Sequence, residues 1–158
     1  MKKLLIYLPI FLLFSCLPDD SASTSVIDEI NEVQKKLVGS WYKEKEIIYN
    51  VDRTIDYTVD YADEPCYKMS IYNFLEDKTY VAQIYDFNSD SQLCRIDRTI
   101  TGTWRLNSFT ELVISEKKAA GKIIEKTIIE RLTADELVIV TIDASTSAVI
   151  SSTTYYKI

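Results

Sequence analysis

The stretch Leu37-Val38-Gly39-Ser40-Trp41 decides how the chain is read. Its Gly-x-Trp spacing returns at Gly102-Thr103-Trp104. A glycine two residues before a tryptophan lets backbone pass close to a large ring that then plugs a core. Trp41 and Trp104 are therefore expected to hold the fold together. Before Leu37 lie an apolar leader, a polar stretch and a helical pattern. After Trp41 the sequence turns almost wholly to strand-like runs.

Downstream, the runs are Trp41 to Val51, Ile55 to Val59, Cys66 to Phe74, Thr79 to Phe87, Cys94 to Leu106, Phe109 to Ser115, Lys122 to Leu132, Glu136 to Ile142 and Ala148 to Lys157. Cys94 to Leu106 alternates apolar and polar positions with period two, Arg98 being the exception on the apolar side. The links are too short for parallel crossovers, so the strands follow one another as an antiparallel meander. Closure into an up-and-down barrel of eight or nine strands removes the open edges, and a two-sheet sandwich is the alternative. The expected class is all-β with a short N-terminal helix. An eight-stranded barrel has an interior just filled by side chains or able to hold one small ligand.

Upstream, Val26, Ile30, Val33 and Leu37 recur at spacings that mark one face of an amphipathic helix over residues 25–36, with Ser25 as its expected N-cap. This helix is expected to plug a barrel end. Met1-Lys2-Lys3, the apolar run Leu4 to Phe14 and Ser15-Cys16 have the form of a bacterial export signal, too short to span a bilayer permanently. Leu13-Phe14-Ser15-Cys16 resembles a lipobox of bacterial lipoproteins, which implies cleavage before Cys16 and a lipid on it. The domains are then a signal peptide over 1–15, lipidated cysteine, tether and helix over 16–36, and barrel over 37–158. Asp19 and Asp20 read either as an outward sorting signal or as solubilising charge. The expected location is the cell envelope, as an outer-membrane lipoprotein.

With Cys16 lipidated, Cys66 and Cys94 remain as an even pair in an oxidising setting and are expected to form a disulfide. The sequence carries a net charge of −6, and loss of Lys2 and Lys3 makes the mature chain more acidic still. That charge argues against nucleic acid and anionic lipid surfaces as partners.

The order of these features resembles the lipocalin-like domain of bacterial lipoproteins over residues 37–158. A helical lead-in enters a first strand at Gly39-Ser40-Trp41. Tyr72-Asn73-Phe74 with Asp77-Lys78-Thr79-Tyr80 forms a hairpin, Lys78 standing where a glycine is usual. Gly102 to Leu106, then Leu132-Thr133-Ala134-Asp135-Glu136-Leu137-Val138-Ile139, complete the pattern. The resemblance implies that Trp41 closes one barrel end and that a basic side chain, assigned here to Arg131, packs across it.

Catalysis finds little support. The chain has no histidine, so Ser-His-Asp and Cys-His sites are impossible. Its three glycines cannot build a phosphate loop. The acids Asp52, Asp56, Asp60, Asp63 and Glu64 lack the spacing of a calcium loop and read as a solvated edge. Glu44, Glu46, Glu125 and Glu130 read as outer-face charges. No metal, cofactor or enzymatic activity is expected. Arg98, Tyr72 and Tyr85 are the candidate ligand-binding residues, Arg98 because a charge on an inward face needs a buried carboxylate or a ligand's acid group. The expected function is binding of a small hydrophobic or amphipathic molecule by a monomeric, lipid-anchored barrel. The alternative is a structural or protein-interaction lipoprotein of the envelope.

Overall fold

The structure is a computed structural model that describes residues 21–118, 121–143 and 146–158, with side chains over 25–116, 126–143 and 146–158. The signal peptide, Cys16 and most of the tether lie outside the described residues. Helix α1 spans Ser21–Leu37. It starts before Ser25, which lies inside it rather than capping it, because no glycine or proline interrupts Ser21 to Ser25.

Nine strands follow: β1 Gly39–Tyr49, β2 Ile55–Asp60, β3 Ile71–Phe74, β4 Thr79–Asn88, β5 Leu93–Leu106, β6 Glu111–Lys118, β7 Gly121–Leu132, β8 Glu136–Ile142 and β9 Val149–Lys157. All pairs are antiparallel. The order is β2-β1-β3-β4-β5-β6-β7-β8-β9, and β1 also pairs with β9. Strand β1 and strands β3 to β9 thus form a closed eight-stranded ring, with β2 as an extra strand beside the far half of β1. This is the expected barrel, not the sandwich.

One end of the barrel is packed solid. Leu37, Trp41, Phe74, Tyr80, Trp104, Leu112 and Leu137 meet there in a core that continues through Ala82, Ile84, Ile114, Ile129 and Ile139. Each tryptophan is fully enclosed and donates its indole N–H to a carbonyl. Trp41 Nε1 reaches Leu37 O at 2.9 Å, and Trp104 Nε1 reaches Leu75 O at 3.0 Å. Val33 of α1 packs on the same core, so the end of the helix is the plug.

The segment expected to lead straight into β3 does something else. Tyr61–Asp63 and Tyr67–Met69 are single 3-10 turns. Pro65 interrupts the run, and Asp60 caps the first turn through Ala62 N at 3.0 Å, so the strand pattern is overridden locally. This connection fills the wall beside β2, and the Tyr85 amide on β4 donates to the buried Ser70 Oγ at 2.9 Å. The Cys66–Cys94 disulfide then ties it to the start of β5, as expected.

Candidate functional site

Alternation along the strands says which side chains enter the barrel, and slips in register change the simple count. On β1 the register with β9 slips between Lys43 and Lys45. Trp41 and Lys43 face inward before the slip. After it, Glu46 and Ile48 face inward, because Glu46 stands opposite Thr153, which in turn pairs with the core residue Ile139. Glu46 is thus not the outer-face charge that the sequence suggests; the bulge turns it inside. On β6, Glu116 shares the inner face with Leu112 and Ile114 and is also buried. Glu44 lies at the β1 slip and Glu130 at a slip in β7, where Glu130 is exposed. The Glu125 side chain lies outside the described ones.

The interior beside and beyond this core is polar and aromatic, with Tyr72 opposite Trp41 and Tyr155 opposite Leu137 and Lys43. Lys43 Nζ lies 3.3 Å from Glu46 Oε2, with both side chains mostly shielded. The Tyr61 hydroxyl donates to the same Glu46 oxygen at 2.7 Å. Lys43 Nζ sits 5.0 Å from the centre of the Tyr61 ring and 5.9 Å from that of Tyr72, within cation–π reach. Tyr72 meets Tyr155 edge-on at 5.2 Å, and Tyr61 meets Tyr67 at 5.8 Å. Buried Thr127, Ser151 and Thr153 complete the polar lining.

The phenols record this enclosure. Burial, then the hydrogen bond to Glu46, pushes the Tyr61 hydroxyl well above its ordinary pKa. Burial, then the Glu46 charge, lifts Tyr72 to about 12, with Arg98 pulling the other way. Tyr155 is raised well above the ordinary value, chiefly by burial. Yet the hydroxyls of Tyr72 and Tyr155 hydrogen-bond to no described residue, while no buried side-chain nitrogen or oxygen among the described residues lacks a partner. The two hydroxyls are therefore not sealed in protein. They open onto space that water can reach.

The rim is built from the β2–β3 connection, which forms a lid, and the β4–β5 hairpin. A cleft of about 430 Å³ runs between Glu64–Tyr67 on one side and Asp86, Phe87 and Gln92–Cys94 on the other. Its Tyr67 packs on Tyr61, so the cleft adjoins the interior cluster.

The expected site residues divide. Tyr72 lies in the interior cluster. Arg98 stands opposite the core residue Ile84 and so starts from the inner face, but it is exposed at the mouth and has no carboxylate partner among the described residues. Tyr85 does not join it, since alternation along β4 turns it away from the face that Tyr80, Ala82 and Ile84 share. Arg131 does not pack across Trp41. The slip at Glu130 directs it outward, where it pairs with Glu136 at 3.2 Å. Lys157 takes the place over Trp41 instead, its Nζ 5.1 Å from the ring centre and donating to Lys36 O at 2.8 Å. Lys78 covers Trp104 in the same way at 4.3 Å. Lys43, Glu46 and Tyr155 were missed from sequence. Period two in Ser151, Thr153 and Tyr155 carried a signal for the last; the β1 bulge hid the other two.

Other acidic residues serve local structure. Asp52 accepts from Thr54 N at 3.0 Å, and Asp77 from Thr79 N at 2.8 Å. Among the described residues no helix is long and apolar enough to cross a membrane. In comparison with known families, residues 37–139 match the sequence model of the lipocalin-like domain. No curated protein matches the chain.

Proposed function

The chain belongs to the lipocalin-like domain family, and from that premise we propose that it binds a small hydrophobic or amphipathic molecule in the interior of its barrel. The observation that carries this reading is the pair of hydroxyls, Tyr72 and Tyr155, that no described group satisfies and that face accessible space. Ring faces supply apolar contact there, and hydroxyls with the Lys43–Glu46 pair supply orientation. The tryptophan end is the closed floor. Binding, not turnover, is the role: the interior offers an ion pair and phenols held neutral, and neither is an activated nucleophile with a base.

We further propose that the protein is a monomeric envelope lipoprotein, held to the outer membrane by lipid on Cys16. The support is the leader sequence and the small residue before that cysteine.

Native mass spectrometry of protein purified from its own cells tests the binding role. A retained molecule, lost from the double variant Tyr72→Ala/Tyr155→Ala, is expected. A chain mass with no excess, together with failure to take up an apolar fluorescent probe, overturns it. A second reading, an interaction lipoprotein, draws on a different surface. A cleft of about 570 Å³ lies beside α1, lined by Val33 and the exposed Phe109 with Asp28, Glu29 and Glu32. Crosslinking in intact cells without an enriched envelope partner would remove that reading.

A further inference from the structure

The charges that face the mouth are unevenly matched. Lys43 is neutralised by Glu46 at 3.3 Å. Farther along the β4–β5 hairpin, the exposed Arg95 stands opposite Asp86 in register, with no ion pair between them. Arg98, between them and the core, has no ion pair and no hydrogen bond among the described residues. It begins from the inner face, opposite Ile84, and the inner positions below it are Ile100 and Gly102, opposite Ala82 and Tyr80. A largely apolar wall thus descends from the guanidinium to Trp104, with the buried Glu116, which has a partner of its own, opposite Gly102. Tyr72, whose hydroxyl is open, is on the same inner face, opposite Ala82, which in turn pairs with Ile100 two residues from Arg98. The protein as a whole is acidic, so a free anion is repelled by most of the surface and meets the cationic Arg98 at an inner-face position.

We infer that Arg98 anchors an anionic headgroup, so that the molecule held in the barrel is an acidic amphiphile. The inference rests on the reading of the barrel interior as a ligand site. A guanidinium presents a planar fork of donors that suits a carboxylate or other oxyanion, and the wall below it suits an apolar body. Glu46 does not oppose this, because Lys43 and Tyr61 already hold its oxygen.

The test uses the full protein, stripped of endogenous lipid, titrated with fluorescent cis-parinaric acid and separately with its methyl ester. The two probes share an apolar body and differ in the anion. The wild type is expected to bind the acid at least about tenfold more tightly than the ester, the size of one charge-assisted hydrogen bond. Arg98→Gln should abolish that preference, bringing acid and ester to the same affinity. Arg105→Gln, whose side chain points outward to Asn107 Oδ1 at 3.0 Å, should keep it. An unchanged melting temperature for Arg98→Gln shows that the fold is not at issue. Equal binding of acid and ester by the wild type, or a preference that survives Arg98→Gln, overturns the anchor while leaving the binding role intact. Binding of neither probe removes the binding role, and the anchor with it.

Discussion

A fully enclosed tryptophan must place its indole N–H on an acceptor, and Trp41 and Trp104 both find one on a nearby turn or helix end. Each ring is then covered by a lysine, Lys157 or Lys78. Trp41→Ala is expected to lose about 3–5 kcal/mol in urea unfolding, the usual range for emptying such a site. The lysine matters less but measurably. Lys157 combines a cation–π contact with a hydrogen bond to the last turn of α1, so Lys157→Met should cost about 1 kcal/mol. Arg131 makes only an exposed ion pair, so Arg131→Met should cost under about 0.5 kcal/mol. The reverse order would return the capping role to Arg131. The tyrosines give a second prediction at this scale. Tyr72 has its folded pKa raised to about 12, and Tyr61 and Tyr155 are shifted in the same direction. A raised acid binds its proton more tightly when folded, so this stability is complete below the unfolded value near pH 10 and is lost as pH climbs toward about 12. Phenolate absorbance should reveal a late-titrating set that ionises together with unfolding. Glu46→Gln removes a charge that raises Tyr72 and Tyr61, and should shift that set to lower pH. If all the phenols titrate as one ordinary population, the interior is not enclosed as described.

At the scale of elements, the connection between β2 and β3 has only two short 3-10 turns of its own. Its position depends on three ties: the Tyr61–Glu46 hydrogen bond, the Ser70–Tyr85 hydrogen bond and the disulfide. The disulfide closes a separation of 28 residues, for which chain entropy gives about 3–4 kcal/mol. Reduction should lower unfolding stability by about that amount, and hydrogen exchange should accelerate over residues 61–69 ahead of β8 and β9. Equal acceleration everywhere would mean that the bond supports the whole barrel and not the lid. Gly102 belongs to another element-level constraint. A Cβ there would fall on the Ser115 carbonyl, which is backbone held in the β5–β6 ladder and cannot swing aside. Gly102→Ala should therefore destabilise by about 1–3 kcal/mol, as overpacking does, with the β5–β6 pairing weakened first. The turn between β3 and β4 shows a different solution. Lys78 adopts a left-handed φ of 70° where a glycine would be relaxed, and its chain then lies over Trp104.

For the whole molecule, the strand count, the order from β3 to β9 and the disulfide were legible because period two, short links and an even cysteine pair are local signals, whereas the placement of β2 outside the ring was not. Closure was legible only as a preference, since a sandwich has the same alternation along each strand. The interior was least legible. One extra residue in β1 exchanges the faces of all that follows, so Glu46 reads as solvent-facing until the ladder with β9 is known. Tyr85 and Arg131 were misplaced for the same kind of reason, a face assigned without its register. The last prediction concerns the chain end that joins this barrel to its surroundings. With Cys66 and Cys94 bonded to each other, Cys16 is the remaining one of three cysteines. A lipid on its sulfur leaves the mature native protein without a free thiol, and reduction under denaturing conditions should then release two thiols and not three. An unmodified Cys16 gives one thiol before reduction and three after. Cys16→Ser should at the same time move the protein from the detergent phase to the aqueous phase, because its membrane hold would come from acyl chains alone. A wild type that titrates one native thiol and stays aqueous would sink the lipid anchor without touching the barrel, whose core and lid do not involve Cys16.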